Sequence, residues 1–520
     1  MAVIDDPASL KTHWKAACEE EDADQLCRML QQASGRFTSV AEALTSSDTT
    51  AGFRVACEKG HMNLMRELLV LEGGLLVDVH RADGDGPEAA FRLACANGRT
   101  DIVYELLGLT GARAVDVHAA DERGPEAAFR EACTEGNPDI VRMLLALTGA
   151  REVDVHAAAW GVSEAAFRYA CTEGHTGIVH ELLSLAGARE VDVHAADEDG
   201  PEGAFRWACA NGNTDIVHML LGLTGAREVD VHAGSWDGPE AAFREACRWG
   251  HTRVVRELLA LTGAREVDVH VAARGGDEDA FQGACANGHT AIVCELLVDV
   301  HAEDGEGPEA AFRWACAEGH TEIVLELLGL NGHREVDVHA ADWDGPEAAF
   351  RGACAEGHVD IVRELLTLPG HRQVDVHAAG STGREEGLRT ACDRGHTGIV
   401  RELLRLSGAR TANVRAPDQD GPEAALRLAC TRGHLDIVRP PFEVHVATAT
   451  LTLYVLSLLS LETDKWMSMQ PMGAALTQQA GQSAVRIARD AVWVSGCEVS
   501  EGSLTALLYN AMVVEMTANL

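Results

Sequence analysis

The sequence predicts an all-α protein, a solenoid of about 12 helix–turn–helix repeats closed by a non-repeat C-terminal capping segment. First, an Ala-Cys pair recurs every 38 residues, with one interval of 31 and a diverged first copy at Cys18. Second, each copy holds two short amphipathic patterns at helical spacing. Third, glycine and proline recur between those patterns. The cysteines that set the period are Cys57, Cys95, Cys133, Cys171, Cys209, Cys247, Cys285, Cys316, Cys354, Cys392 and Cys430.

Each copy predicts two helices that are too short to be stable alone. In the copy at residues 83–118, Pro87 suits the first position of a helix, and Phe91 begins its apolar face. Gly98 suits a C-cap, and a second helix is expected to start near Thr100. The apolar face of that helix is formed by Ile102, Val103, Leu106 and Leu107. Because neither helix can bury its apolar face alone, successive copies must pack on each other.

A fixed run of residue types is repeated over about residues 13–438. It consists of a turn glycine, Phe-Arg-x-Ala-Cys, a Gly-His step, Ile-Val and Leu-Leu pairs, and a Gly-Ala return to Val-Asp-Val-His-Ala. This run resembles the ankyrin repeat, and the resemblance implies a stack whose concave face and fingertips contact other proteins. The copies exceed the usual ankyrin length of 33 residues, and Pro-Glu-Ala-Ala replaces the Thr-Pro pair of the family. The finger geometry is therefore expected to differ from that of other ankyrin repeats.

The chain is expected to divide into three parts. A tail at residues 1–12 precedes the array at 13–438, where the Pro440–Pro441 pair stops the last second helix. The C-terminal segment, residues 439–520, includes an apolar stretch from Phe442 to Leu461 with an uncharged run of 16 residues. A membrane-spanning helix needs roughly 20 residues, so a strand or a capping helix is favoured over a membrane anchor.

The charge and the cysteines restrict the partner and the compartment. The net charge of −38 repels nucleic acid and anionic lipid, and it favours a basic protein partner. Equivalent cysteines on stacked helices lie roughly 8–10 Å apart, whereas a disulfide needs Cα atoms within about 7 Å. Buried free thiols and the lack of a secretory signal at the N-terminus predict a cytoplasmic, intracellular protein.

Two columns of histidine repeat with the array. A stacked Asp-x-His column suggests either a metal ladder or a pH-sensitive strip. However, the same position is only translated by about one helix diameter in each copy, so we favour histidines that bond the backbone of their own turns. We therefore expect no metal and no cofactor. This column is His80, His118, His156, His194, His232, His270, His301, His339 and His377. A second column, represented by His175, exchanges with Arg99 and Asn137 and predicts capping.

The tryptophans differ between copies and are the candidate partner-binding residues. Trp160, Trp236 and Trp343 follow the turn aspartate or its substitute, and Trp249 lies near the end of a first helix. Exposed tryptophans are enriched at binding hot spots, but folding back onto a neighbouring finger is an equal alternative. Trp207, Trp314 and Tyr169 follow the Phe-Arg pair, a position that ankyrin repeats more often pack between repeats, so we expect them to be structural.

The leading functional hypothesis is a monomeric, non-enzymatic scaffold or adaptor that binds a protein partner. No phosphate-binding loop, Ser-His-Asp order or Cys-x-x-Cys pair is present in the sequence. Three alternatives stay open. The C-terminal segment anchors the array to a membrane, the same segment forms an unrecognised functional domain, or the array is a spacer without a specific groove.

Overall fold

The computed structural model confirms the all-α class. It describes residues 7–20, 22–36, 44–236, 238–269, 280–296, 307–332, 335–380, 383–418 and 423–438. These residues form α-helices, short 3₁₀ turns and isolated bridges, and no strand is found among them. The chain divides into two compact units, Met1–Ala280 and Phe281–Leu520.

The first unit is a stack of helix pairs. Odd-numbered helices are the first helices of the repeats and even-numbered helices the second. The helices are α1 (Pro7–Glu19), α2 (Ala23–Arg36), α3 (Ser46–Lys59), α4 (Met62–Leu69), α5 (Ala89–Ala96), α6 (Thr100–Leu107), α7 (Ala127–Thr134), α8 (Pro138–Leu145), α9 (Ala165–Glu173), α10 (Thr176–Leu183), α11 (Gly203–Ala210), α12 (Thr214–Leu221), α13 (Ala241–Arg248) and α14 (Thr252–Leu259). Each first helix from α1 to α11 packs on the first helix of the next repeat, and each first helix packs on the second helix of its own repeat.

The second unit repeats this arrangement. Its helices are α15 (Ala280–Ala286), α16 (Thr290–Leu296), α17 (Gly307–Glu318), α18 (Thr321–Leu328), α19 (Ala348–Glu356), α20 (Val359–Thr367), α21 (Glu386–Arg394), α22 (Thr397–Leu404), α23 (Ala424–Arg432) and α24 (Leu435–Val438). Successive first helices from α17 to α23 pack on one another, as do successive second helices. The described part of α24 is only four residues long, and the prolines expected to end it lie outside the described residues.

The predicted core is confirmed except at Leu107, which is only half-buried. Phe91 and Cys95 of α5 and Ile102, Val103 and Leu106 of α6 are each at most 2% exposed. Full burial of one such side chain contributes about 1.5–3 kcal/mol, so each repeat is stabilised mainly by its neighbours. The cysteines on the described first helices are thiols and form no disulfide. Burial raises the pKa of the Cys57 thiol well above its ordinary value, as expected for an apolar core position.

The beginnings of the helices differ from the prediction in two places. Pro87 does not open a helix, because α5 begins at Ala89 and Glu88 precedes it in a left-handed conformation with φ 54°. This conformation turns the Glu88 carboxylate into the stack, where it bonds His80. Helix α1 begins at Pro7, inside the stretch expected to be a tail.

The predicted boundaries of tail, array and C-terminal segment stay predictions, and residues 439–520 lie outside the described part of the chain. Among the residues that the structure does describe, no helix is both long enough and apolar enough to cross a membrane.

Candidate functional site

We call the turn that precedes each first helix a finger. An aspartate at the start of a finger fixes this turn to the stack. Asp121 accepts hydrogen bonds from the backbone N–H groups of Arg123 and Gly124 at 2.9 and 3.0 Å. It also accepts one from the guanidinium of buried Arg130 at 2.5 Å. Burial alone would raise the pKa of Asp121, but the hydrogen bonds and charge of Arg130 hold it below its ordinary value. The acidic turn is therefore a structural lock rather than a calcium loop.

We call this aspartate–arginine pair the finger lock. It recurs as Asp83–Arg92, Asp197–Arg206, Asp342–Arg351 and Asp418–Arg427. Among the fingers that the structure describes, three lack the aspartate and have Ala159, Ser235 or Gly380 at that position. In the first of them, Arg168 donates to the carbonyl of Ser163 at 3.3 Å and lies 5.6 Å from the centroid of the Tyr169 ring.

The structure places the three finger tryptophans on the surface. Trp160, Trp236 and Trp343 are 63%, 70% and 93% exposed. Two of them bond the preceding finger through the main chain, since the N–H groups of Trp160 and Trp236 donate to the carbonyls of Arg123 and Asp199 at 2.7 and 2.9 Å. The guanidinium of Arg123 also lies 5.5 Å from the centroid of the Trp160 ring. Trp160 therefore contacts the neighbouring finger and still exposes most of its surface.

The first helices carry further exposed aromatic rings. Trp249 caps the C-terminal end of α13, is 59% exposed and donates from Nε1 to Glu245 at 2.9 Å. The structural role expected of Trp207 has support, since its Nε1 donates to Asp197 of its own finger at 2.8 Å, but its ring is 40% exposed on α11 rather than buried between repeats. A helix turns about 100° per residue, so residue 207 faces away from buried Phe205. Trp314 of α17 is also exposed, for the same reason.

In the first unit these rings lie on three adjacent repeats. We call this set the aromatic surface: Trp160, Trp207, Trp236 and Trp249. The helices that carry it, α9, α11 and α13, pack side by side. Exposed carboxylates on this part of the array are Glu122, Glu135, Glu173 and Glu198. Apart from the two arginines stacked on Trp160 and Trp249, the exposed charge around the rings is therefore mostly negative.

The histidines of the Asp-x-His column have a structural role, but not only in their own turns. Asp116 accepts the backbone N–H of His118 at 3.0 Å, as expected. The imidazole itself contacts Glu126 through Nδ1 at 2.5 Å and the Ala150 carbonyl of the next repeat through Nε2 at 3.0 Å. The contact with this glutamate was not predicted, although the glutamate follows the histidine by eight residues in copy after copy. No cluster of potential metal ligands is found within the described residues.

The second histidine column caps the preceding repeat. His175 contacts the Thr134 carbonyl at 2.6 Å, at the C-terminal end of α7. Its replacements act in the same way, since Arg99 donates to the Glu58 carbonyl and Asn137 to the Cys95 carbonyl. Capping is confirmed, but these side chains satisfy carbonyls at the end of another helix rather than N–H groups at the start of their own.

The comparisons with known proteins identify the repeat. The family model described as ankyrin repeats, in three copies, matches residues 281–379. These residues lie within the second unit. No curated protein matches the chain.

Proposed function

Since the chain carries ankyrin repeats, which are generally protein–protein interaction modules, we propose that it is a scaffold or adaptor that binds a protein partner through its fingers and first helices. The observation that carries the proposal is the exposure of Trp160, Trp236, Trp249 and Trp343. Large exposed rings on a rigid stack suit binding because they supply contact area at a low cost in side-chain entropy. The ankyrin fold is typically non-enzymatic, and we propose no catalytic role for the array.

The charge of the molecule supports a basic partner. Formal net charge is −38, and exposed carboxylates such as Glu173 and Glu198 flank the aromatic surface. Negative potential raises the association rate of a cationic partner and suppresses the binding of acidic ones. Cationic side chains can also stack on the exposed tryptophan faces, as Arg123 and Arg248 of this chain already do. We propose that the array acts inside the cell as a monomer and that its partner is a protein with a basic binding segment.

The first test compares affinity capture from a native cell extract by three forms of the full chain. They are the unaltered chain, a variant with Trp160→Ala, Trp236→Ala and Trp249→Ala, and a control with Tyr104→Ala. Tyr104 is an exposed aromatic residue on the second helix α6, away from the fingers. Circular dichroism first establishes that all three fold alike.

We expect the same proteins to be retained by the unaltered chain and by Tyr104→Ala, and to be lost from the tryptophan variant. Raising the salt concentration should weaken their capture if the partner is basic, because salt screens attraction between charges. Equal retention by all three forms would contradict a role of these tryptophans in binding. Failure of every form to retain a specific protein would favour the spacer alternative.

A further inference from the structure

Seven histidines in the described part of the array make the same pair of contacts. On one side, Nδ1 lies 2.5 or 2.6 Å from the carboxylate of the glutamate that precedes the first helix of the same repeat. On the other side, Nε2 lies 2.7 to 3.0 Å from a carbonyl oxygen of the next repeat. The pairs are His80–Glu88, His118–Glu126, His156–Glu164, His194–Glu202, His232–Glu240, His339–Glu347 and His377–Glu385.

The ring faces an acceptor at both nitrogens. A carboxylate and a carbonyl accept hydrogen bonds but do not donate them, and a neutral imidazole carries only one N–H group. The protonated ring has two N–H groups and can satisfy both partners at once. Loss of the proton would therefore break one of the two bonds, either the bond to the glutamate or the bond to the carbonyl of the next repeat.

The glutamate depends on the charge of the histidine. Glu126 is 2% exposed and is held at φ 56°, which directs its carboxylate into the stack. One of its oxygens accepts the Asp154 backbone N–H of the next repeat at 3.2 Å in addition to the His118 contact. The other oxygen is buried and has no hydrogen-bond partner among the described protein atoms. A neutral His118 would leave a buried carboxylate without its counter-charge, which is strongly destabilising.

We propose that these seven histidines are proton-dependent clamps between repeats, so that the array is tightened by mild acid and loosened as the pH rises above neutrality. The proposal goes beyond the binding function, because it concerns the rigidity of the stack and not the partner. A partner that requires a rigid arrangement of fingers would be bound more tightly when the clamps are protonated.

The charged groups around each clamp favour the protonated ring. His118 faces Glu126 at the start of α7, Asp116 in its own return segment, and the Ala150 carbonyl of the next repeat, which Arg151 follows in the chain. The Arg151 guanidinium is directed elsewhere, to the Leu107 carbonyl at 3.0 Å. The hydrogen bond to Glu126 raises the pKa of His118, burial opposes this, and the Ala150 carbonyl and the charges of Glu126 and Asp116 raise it further.

The sign of the pH dependence follows from the direction of the shift. The folded state binds the proton more tightly than the unfolded chain, whose histidines titrate near pH 6.5. The stabilisation by each clamp is therefore complete below pH 6.5 and is lost as the pH rises through the higher pKa of the folded state. Each clamp changes the unfolding equilibrium tenfold for every unit by which its pKa is raised.

The test uses the full chain between pH 5.5 and 8.5. Thermal unfolding is followed for the unaltered chain, for a triple variant with His118→Gln, His156→Gln and His194→Gln, and for a control with His180→Gln. Glutamine retains a donor but does not ionise, and His180 is exposed on α10. We expect the melting temperature of the unaltered chain and of the control to fall between pH 6.5 and 8.5, and that of the triple variant to fall less steeply.

A second measurement does not depend on the stability of the triple variant. Ring proton resonances of the unaltered chain are followed by NMR as a function of pH, and single substitutions assign them. We expect His118, His156 and His194 to titrate above pH 6.5. Titration of the clamp histidines at or below pH 6.5, or parallel melting curves for the unaltered chain and the triple variant, would overturn the proposal and leave ordinary structural hydrogen bonds.

Discussion

The array has two kinds of finger, those with a finger lock and those without. Their comparison shows which contacts hold the stack together and which features differ from repeat to repeat. The finger at Asp121 has a carboxylate that binds buried Arg130, whereas the finger at Ala159 has none. Arg168 keeps the carbonyl contact that Arg130 also makes, to Ser163 instead of Pro125, and lies against the Tyr169 ring. The helices that follow, α7 and α9, nevertheless bury the same Phe, Ala and Cys positions. The core of the stack therefore tolerates the loss of a finger lock.

Two of the unlocked fingers also carry exposed tryptophans. Trp160 and Trp236 follow Ala159 and Ser235, whereas the finger at Asp121 has glutamate and arginine at its tip. One finger, at Asp342, combines a lock with exposed Trp343, so a tryptophan does not require the loss of the aspartate. The residue at the tip of a finger and the presence of a finger lock therefore vary independently in this chain.

The largest expected difference between the two kinds of finger concerns the buried arginine. Arg130→Met leaves the nearly buried Asp121 carboxylate without its counter-charge, which should lower the free energy of unfolding by about 3–5 kcal/mol. Arg168→Met removes only a hydrogen bond to a carbonyl and a ring contact, at a cost of about 1 kcal/mol. Urea unfolding of the two variants checks the difference. Equal losses would mean that the lock does not stabilise its finger more than the alternative contacts do.

A smaller effect is expected when a lock is introduced into an unlocked finger. Ala159→Asp places a carboxylate where Asp121 stands one repeat earlier, within reach of Arg168. A hydrogen bond between charged groups should raise the free energy of unfolding by about 1 kcal/mol after the loss of water around both groups. The same urea experiment measures it, with Arg168→Met added to show that the gain needs the arginine. A loss of stability would show that the Trp160 finger cannot adopt the locked turn.

The smallest effect on stability is expected at the tip. Trp160→Ala removes an exposed ring and should change the free energy of unfolding by no more than about 0.5 kcal/mol. Trp14→Ala is the contrasting variant, because Trp14 is fully buried and its indole N–H donates to the Asp48 carbonyl. Loss of such a buried ring costs about 3–5 kcal/mol. A comparable loss from Trp160→Ala would show that this ring mainly supports its neighbour Arg123.

Periodicity alone predicted most of the fold. The 38-residue spacing located the helices, and the apolar positions Phe91, Cys95 and Ile102 are core residues because a short helix has only one face to bury. The exposure of Trp207 could also have been predicted. This residue follows buried Phe205 by two positions, which places it on the opposite face of the helix.

The clamps and the finger locks were harder to predict. The glutamate of a clamp meets the histidine across a turn because the glutamate itself has a positive φ. The second partner of the histidine is a backbone carbonyl of the next repeat. A carbonyl leaves no mark in the sequence. The constant eight-residue spacing of histidine and glutamate was visible, but spacing alone does not show that two side chains meet unless the conformation of the turn is known.

Hydrogen–deuterium exchange of the unaltered chain, alone and with a partner retained by it, tests the central claim most directly. If the fingers and first helices form the binding face, the partner should slow exchange in the finger segments at 159–163 and 235–239. Exchange in the second helices α8, α10 and α12 should be unchanged. Protection confined to the second helices, with no change in those fingers, would contradict the account and place the binding surface on the other side of the repeats.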